Sequence, residues 1–368
     1  MKVLALYLPQ YHSIPENDCW WGKGYTEWTA VKNAKPLFKG HYQPKKPLSN
    51  NYYDLSDESA KTWQWQADLA KKYNVFGFCI YHYWFGKKML LQKPMEILLS
   101  HKEIDTHYCI CWANETWTRT WYGKETEVLI KQEYGGMEEW KRHYDYLSLF
   151  FKDKRYIAID GCPVLCIYRP ADIPDFESMV DYWNSLAMKD GFCGLKIIIS
   201  KNGVGNPKSD LKCYGEYYFE PSYSIKNGLS LFEKTSYNGR VFANHLINRV
   251  FKKEKLERMI SIKRFYRRVV RNYKKNKNND ATIKHFPGVF PRWDNCPRRG
   301  YKGTAFYGDN PSVFESFLRK LFAESRNEDF CFVNAWNEWG EGCFLEPDEK
   351  NGYEYLEVIK EVSEEFDK

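Results

Sequence analysis

Two glutamates near the C-terminal end of the chain have the residue type and spacing for acid–base chemistry on a glycosidic bond. Glu338 and Glu341 are three residues apart in the stretch WNEWGEG, directly after an apolar run. Making or breaking a glycosidic bond requires two nearby carboxylates, one ionised and one kept protonated. Trp336 and Trp339 supply apolar surroundings that raise the pKa of one carboxyl group. From spacing alone, two solvated carboxylates at a helix N-terminus are an equally good interpretation.

Polar and aromatic residues also follow the other apolar runs that we interpret as strands. Enzymes built on parallel barrels place their catalytic groups where strands end and the following loops begin. A purely structural account does not require such residues at nearly every strand end, so we interpret them as parts of a binding site. For His82 the competing interpretation is a hydrogen-bonded structural histidine. The residues assigned to the site in this way are Tyr11, His12, Tyr81, His82, Trp112, Asn114, Glu220, Asp294, Trp336 and Asn337.

The elements that position these residues are short apolar runs that alternate with helical patterns. Near-continuous apolar runs are typical of parallel strands covered on both faces. Between them, Asp57–Tyr73 and Pro311–Arg326 have helical periodicity and matching end signals. Eight alternating strands predict an α/β fold, a (β/α)8 TIM-type barrel with long βα loops, as one catalytic domain over residues 1–368. The predicted strands are Val3–Leu8, Val75–Tyr81, His107–Trp112, Pro163–Tyr168, Leu195–Ser200, Cys213–Phe219, His285–Phe290 and Phe330–Trp336.

Two segments interrupt this pattern. Asn17–Asn51 is a long aromatic loop, and an ordered loop of this length in a compact domain is typically functional. Arg249–Lys277 holds 13 Lys or Arg and two Glu, so 13 − 2 gives +11 locally against +7 for the whole chain. Its helical apolar spacing predicts a basic amphipathic insert, for which contact with an anionic membrane and packing on the barrel are equally favoured. Nucleic-acid binding is disfavoured because the charge is confined to one insert.

Composition and cysteine content indicate the cellular compartment in which the protein is expected. The chain shows no charged leader with a long apolar core, and no apolar stretch approaches the roughly 20 residues that span a bilayer. Its 11 cysteines are an odd number scattered through apolar runs, which indicates reduced thiols. We expect a cytoplasmic protein without a metal or other cofactor, because no His or carboxylate cluster has metal-ligand spacing.

Three motifs together resemble one family. The run LYLPQYHSIPENDCWWGKGYTEWTAVKNAKPLFKGHYQP, the YHYWF after the second strand and NAWNEWGEG are similar to the WbsX-type family of polysaccharide-biosynthesis proteins, which is related to the endo-α-mannosidases of glycoside hydrolase family 99. The resemblance implies a barrel that acts on α-linked, mannose-like sugars with retention. Glu338 would take a proton from the 2-hydroxyl of the sugar, and Glu341 would be the general acid and base. Gly340 stands where the hydrolases tend to have histidine. The sugar subsites implied are Tyr11, His12, Trp20, Trp21, Glu27, Trp28, His82, Trp112, Asn114 and Glu220.

Several functions remain open at this point. The leading one is an enzyme of O-antigen, lipopolysaccharide or capsule assembly that acts on a glycan or a lipid-linked oligosaccharide, by transfer or by hydrolysis. An ordinary metal-dependent nucleotide-sugar transferase is disfavoured, because the chain has neither an Asp-x-Asp pair nor G-x-G-x-x-G after a strand. The alternatives are a non-catalytic glycan-binding protein on the same barrel and an adaptor that works through the basic insert.

Overall fold

Nine parallel strands form the barrel of this protein. The computed structural model describes residues 1–119, 124–203, 211–229, 258–279 and 282–366, with scattered positions between 235 and 256. Neighbouring strands follow the order β7-β6-β5-β4-β3-β2-β1-β9-β8, and all of these pairs are parallel. The strands are β1 (Lys2–Tyr7), β2 (Gly77–Trp84), β3 (His107–Trp112), β4 (Cys162–Ile167), β5 (Lys196–Lys201), β6 (Gly215–Tyr218), β7 (Lys284–Phe286), β8 (Gly288–Val289) and β9 (Phe330–Val333).

Strands β7 and β8 are the two halves of the seventh predicted strand, separated by Pro287. Proline has no backbone N–H to donate to a neighbouring strand, so it interrupts the ladder. The first half pairs with β6 and the second half with β9, which nearly closes the barrel. The carbonyl of Pro287 still accepts a hydrogen bond from the Phe332 backbone N–H at 2.9 Å. The predicted TIM-type barrel is therefore confirmed, with each of the eight predicted runs contributing a strand.

Helices cover the outside of the barrel. The predicted helix Pro311–Arg326 begins at Pro311 as expected, and the side chain of Asn310 accepts a hydrogen bond from Val313 N at 2.9 Å. The predicted helix Asp57–Tyr73 begins later, at Lys61, after a turn. The helices are α1 (Pro15–Trp21), α2 (Glu27–Asn33), α3 (Lys61–Lys72), α4 (Lys93–Ser100), α5 (Met137–Phe151), α6 (Phe176–Lys189), α7 (Ser222–Lys226), α8 (Ile262–Asn279), α9 (Cys296–Arg299), α10 (Pro311–Glu324) and α11 (Glu354–Phe366).

The loops of the barrel contain short pairs of strands. Trp117–Arg119 pairs with Lys124–Ile130 as an antiparallel hairpin after β3. Arg258–Ser261 pairs in parallel with Thr304–Tyr307. The remaining short elements are the strands Met89–Leu90, Ala158–Ile159, Asn337–Glu338 and Cys343–Phe344 and the 3-10 turns Leu48–Asn50, Pro170–Asp172, Gly300–Lys302 and Trp339–Glu341.

Helix α8 carries most of the predicted basic insert and occupies the position of a barrel helix between β6 and β7. Its apolar face is buried, including Phe265, Tyr266 and Val269. The Tyr266 ring stacks on that of Phe317 with centroids 3.9 Å apart, and its hydroxyl donates to the Phe290 carbonyl at 2.8 Å. The apolar face of this helix therefore packs on the barrel, as one of the two interpretations of the insert predicted. Residues 249, 251–255 and 257 of the insert lie outside the described residues.

The barrel interior contains a cluster of three thiols. Cys79, Cys109 and Cys166, on β2, β3 and β4, are fully buried, and their sulfur atoms lie within 4.8 Å of one another. A structural zinc site takes four ligands, and this cluster offers three. The cysteines are all free thiols. Among the described helices, none has the length and apolarity that crossing a membrane demands.

Candidate active site

A cavity of about 630 Å³ opens at the C-terminal ends of the barrel strands. This volume is in the range of small-ligand sites, and the position is where barrel enzymes have their active sites. Aromatic side chains form much of its wall, together with charged groups. Of the predicted site residues, the cavity is lined by Trp21, Glu27, Tyr81, Glu338 and Glu341.

Arg298 lies at the centre of the charged part of this cavity and contacts three carboxylates. Its Nη2 atom is 2.5 Å from Glu338 Oε1 and 2.6 Å from Glu27 Oε2, and its Nη1 atom is 3.2 Å from Glu341 Oε1. The Arg298 side chain is only 5% exposed, against 10% for Glu338 and 18% for Glu341. A planar guanidinium presents five N–H donors in a fixed geometry, so it holds the two predicted catalytic carboxylates side by side.

Three carboxylates share one cation, which affects their protonation. Burial raises the pKa of Glu338 to about 8, opposed by Arg298 and reinforced by Glu341 and Glu27. Burial also raises the pKa of Glu341, where Arg298 and Arg299 oppose the shift. The carboxylates in turn hold the pKa of Arg298 well above its usual range despite its burial. Near neutral pH, the pair of glutamates therefore retains a proton that belongs to both carboxylates together.

The end of β1 fixes the backbone around Glu338. The Asn337 side chain accepts from Leu8 N at 2.8 Å and donates to Leu8 O at 3.1 Å. The Tyr11 hydroxyl donates to the Asn337 carbonyl and accepts from Trp339 N at 3.2 Å. These contacts join residues more than 300 positions apart in sequence and orient the stretch that carries both glutamates.

Asp294 supports both Arg298 and Glu341. Its Oδ2 atom accepts from Gln43 Nε2 at 2.6 Å and Lys45 Nζ at 2.9 Å, and it contacts His41 Nε2 at 2.8 Å. Its Oδ1 atom accepts from the backbone N–H that begins helix α9, and its own N–H donates to the Glu341 carbonyl at 2.8 Å. Burial acts against ionisation, but the Lys45 charge and the hydrogen bonds outweigh it and hold the pKa of Asp294 well below its usual range.

The same cluster contains three potential ligands for a cation. His41, Asp294 and Cys296 have potential ligand atoms within 4.8 Å of one another. The Lys45 ammonium already lies 2.9 Å from the Asp294 carboxylate and neutralises it. A metal ion would have to displace this buried charge, so the donor set does not fit one.

The lack of a side chain at Gly340 leaves the space in which Arg298 and Glu27 lie beside Glu338 and Glu341. A Cβ atom on Gly340 would lie 2.5 Å from Arg298 Nε and 2.6 Å from Glu27 Oε2, closer than non-bonded atoms approach. The absence of a side chain is thus what admits the ion pair. The resemblance to the hydrolases implies a histidine at this position, and in this chain the Arg298–Glu27 pair occupies that space.

A buried polar layer lies directly behind the site. The Glu346 carboxylate accepts from Trp339 Nε1 at 2.6 Å, Gln66 Nε2 at 2.7 Å and the Tyr53 hydroxyl at 3.0 Å. Burial raises the pKa of Glu346 to about 7, opposed by these hydrogen bonds. Trp28 Nε1 donates to the Tyr53 carbonyl at 2.8 Å. This layer holds the ring of Trp339, which lies between the two glutamates in sequence.

The other predicted binding residues do not line the cavity. His12, Trp28 and Trp336 are buried in or beside the core, and Trp20 packs edge-on against Trp117. Tyr11 and Asn337 also lie outside the cavity lining and hold the segment that carries both glutamates.

Four further predicted residues also have their side chains directed away from the cavity. His82 Nε2 lies 3.0 Å from His143 Nε2 on the outer side of the barrel. Trp112 Nε1 donates to a backbone carbonyl at 3.0 Å, and Asn114 Nδ2 donates to the Arg169 carbonyl at 2.8 Å. Glu220 accepts from the Ser224 hydroxyl and N–H at 2.6 and 3.1 Å. The cavity therefore brings together five of the predicted residues, and the rest contact those walls or the core.

Sequence reasoning missed Arg298, which is the central residue of the site. The available signal was the CPRR stretch after the seventh strand, where a proline at a helix start is followed by two arginines. Further lining residues that the prediction did not include as binding residues are Tyr83, Trp117, Tyr168, Arg169, Lys226, Arg258, Trp293 and Arg299.

Comparisons with known proteins agree with this geometry. A family model described as glycosyltransferase WbsX matches residues 3–359. Two strains of Xanthomonas campestris pv. campestris have relatives described as uncharacterized protein WxcX, 31% and 30% identical over 98% of this chain. The chain spans about half the length of these relatives, 49% of each.

Solved structures share the fold. The GH99 endo-α-mannosidase of Bacteroides thetaiotaomicron superposes with a TM-score of 0.59 at 13% identity, covering 99% of this chain and 97% of that one. A protein described as glycoside hydrolase-like gives a TM-score of 0.63 at 12% identity, covering 98% and 93%. At these identities the likeness concerns the barrel architecture.

Proposed function

This chain belongs to the WbsX glycosyltransferase family, and from that premise we propose that it makes or cleaves α-glycosidic bonds with retention, using Glu338 and Glu341. The observation that carries the proposal is the contact of one buried arginine with both carboxylates at the mouth of the barrel. Aromatic side chains around them offer the flat apolar faces on which sugar rings pack.

The proposed reaction proceeds in two steps. In the first, the ionised Glu338 takes the proton of the sugar 2-hydroxyl, whose oxygen attacks the anomeric carbon. The bond from that carbon to the leaving oxygen breaks, and the leaving oxygen takes the proton of Glu341. In the second, Glu341 takes the proton of an incoming hydroxyl, which opens the 1,2-anhydro ring while Glu338 returns its proton to the 2-oxygen. An incoming water gives hydrolysis, and an acceptor sugar gives transfer.

The proposed roles require the proton of the glutamate pair to be on Glu341 when the leaving group departs. Glu338 is the more enclosed carboxylate, and burial raises its pKa to about 8, so near neutral pH the two carboxyl groups share a proton. Arg298 contacts both carboxylates, so the proton moves between two groups stabilised by the same cation, and the sugar 2-hydroxyl at Glu338 drives it to Glu341.

The proposed setting is assembly of a bacterial surface polysaccharide, such as O-antigen, lipopolysaccharide or capsule, at the cytoplasmic face of the membrane. Free thiols suit a reducing compartment. The exposed face of α8 carries Lys263, Arg264, Arg267, Arg271, Lys274 and Lys275, which suits peripheral contact with anionic lipids. The proposed substrate is a mannose-like glycan or a lipid-linked oligosaccharide. Contact of the cationic face of α8 with the membrane would bring the protein close to a lipid-linked substrate.

A non-catalytic glycan-binding protein is the second candidate, because the same cavity can bind a sugar without turnover. The deciding experiment measures turnover on activated α-glycosides and lipid-linked oligosaccharides with wild type, Glu341→Gln and Glu338→Gln. Loss of product in both variants with sugar binding retained supports catalysis. Free sugar identifies hydrolysis, and an elongated acceptor identifies transfer. Turnover that survives in both variants would overturn the proposal, whereas binding without turnover in the wild type would favour the second candidate.

A further inference from the structure

The charges of the cavity are distributed unevenly around the barrel mouth. Three carboxylates, Glu27, Glu338 and Glu341, come from the loops after β1 and β9, which are neighbouring strands. Among the described lining residues, the cationic side consists of Arg169 and Lys226, from the loops after β4 and β6, and of Arg258 and Arg299, from the loops after β6 and β8. Arg299 neighbours Arg298 and acts electrostatically on Glu341, so it lies where the cationic side meets the carboxylates.

Lys226 and Arg169 form the first half of this cationic side. Burial lowers the pKa of Lys226, and the nearby positive charge of Arg169 lowers it further. Arg169 is balanced by Glu115 at 3.2 Å and Asp172 at 2.7 Å. Within the described part of the chain, Lys226 has no ion-pair partner of its own. Two adjacent cations that face a cavity, one of them unpaired, are stabilised when an anion binds between them.

Arg258 and Arg299 form the second half and are held on joined elements. Arg258 is in register with Thr304, and the Thr304 N–H donates to the Asn295 side chain at 2.7 Å. Asn295 directly precedes helix α9, which carries Arg299. The Nε atom of Arg258 is buried and has no hydrogen-bond partner among the described residues. A buried guanidinium N–H without an acceptor costs free energy that a bound oxyanion would recover.

We propose that this cationic side binds the diphosphate of the substrate, while the carboxylate side binds the sugar that reacts. The proposal rests on the function proposed above and specifies its substrate class. A single carboxylate is satisfied by one bidentate arginine, whereas four cations in two groups match the two linked phosphates of a diphosphate. Two substrate types share this chemistry: a nucleoside diphosphate sugar and a prenyl diphosphate-linked glycan. Lysine and arginine side chains can neutralise such a group by themselves.

The test measures binding of inorganic pyrophosphate to the full chain by titration calorimetry. Wild type is compared with Lys226→Gln and Arg258→Gln, and with Lys189→Gln as a control at an exposed position on α6. The expected result is binding that weakens about tenfold or more in each cavity variant, stays unchanged in the control and falls with added salt. Equal pyrophosphate binding in all four proteins would overturn the proposal, and thermal unfolding checks that the variants are folded.

Competition experiments with the wild type alone identify the class of ligand. Displacement of pyrophosphate by a nucleoside diphosphate sugar, or by a short-chain prenyl diphosphate-linked disaccharide, supports the proposal and identifies which of the two sources fits. Displacement by glucuronate at the same concentration would overturn it in favour of a carboxylated sugar. Glu341→Gln separates the two proposals. Pyrophosphate binding without turnover in this variant supports both, and turnover by the wild type without any pyrophosphate binding leaves only the proposed function standing.

Discussion

Gly340 and Arg298 approach each other so closely that a Cβ atom on the glycine would lie 2.5 Å from Nε of the arginine. This contact links a one-residue feature of the sequence to the electrostatics of the site. Because Gly340 leaves the space open, one guanidinium can contact Glu27, Glu338 and Glu341 at once.

Gly340→Ala is expected to displace Arg298 and lower kcat/KM. A shift of a catalytic contact by about 1 Å costs on the order of 100-fold in rate. Gly340→His, which restores the hydrolase residue type, should have at least this effect, because a larger side chain displaces the pair further. Gly136→Ala is the control, since a Cβ there meets no atom within 4 Å. Wild-type rates for both Gly340 variants would contradict the role given to this contact.

Arg298→Lys is expected to shift the pH dependence of the reaction toward alkaline pH. Arg298 favours the ionised forms of Glu338 and Glu341, opposing the rise in pKa that burial produces. A lysine keeps the charge but lacks the planar guanidinium group that contacts both carboxylates. The pKa values of the two glutamates should therefore rise, and the acidic limb of the pH–rate profile should move to higher pH. The expected loss in kcat is about 100-fold at neutral pH. A uniform loss with an unmoved profile would argue for a merely structural role.

Glu220→Gln is expected to stabilise the protein at alkaline pH. Burial raises the pKa of Glu220 to about 8, opposed by hydrogen bonds from Ser224. The folded state therefore binds more protons than the unfolded state between about pH 4.5 and 8, and its stability falls as pH rises through this window. The amide mimics the protonated acid, so the gain at pH 8 should be on the order of 4 kcal/mol, vanishing near pH 4.5. Denaturant unfolding at both pH values, with exposed Glu177→Gln as control, measures the difference.

Asp294→Asn is expected to be strongly destabilising. It leaves Lys45 buried without its counter-charge, which costs about 3–5 kcal/mol. The folded pKa of Asp294 is depressed, so its contribution is present above the unfolded carboxyl pKa and is lost as pH falls through the folded value. The penalty in the variant should therefore be full at neutral pH. Asp181→Asn, at an exposed ion pair with Lys212, should change the free energy of unfolding by less than about 1 kcal/mol.

The periodicity of the sequence predicted the barrel well, because parallel strands covered on both faces produce apolar runs that stand out from their surroundings. The break between β7 and β8 in the described barrel is visible in the sequence as Pro287, yet the exchange of pairing partners across it depends on the closure of the whole barrel.

The candidate site was harder to predict than the fold. Position after a strand identified Glu338, Glu341 and Tyr81, but it does not say to which side of the barrel a side chain points. His82 follows Tyr81 directly and faces outward, since successive residues of a strand alternate. Arg298 lies on a loop helix rather than at a strand end, so no periodic signal identifies it.

The three thiols inside the barrel give the protein a built-in reporter of its own opening. Cys79, Cys109 and Cys166 have no exposed surface, whereas Cys19 and Cys193 are exposed. An alkylating reagent should therefore modify the exposed pair at once and the interior cluster only when strands β2 to β4 separate from the rest of the barrel. Mass spectrometry of the labelled peptides over time would then show how often the barrel opens, with and without a bound sugar, and no fluorophore would need to be introduced.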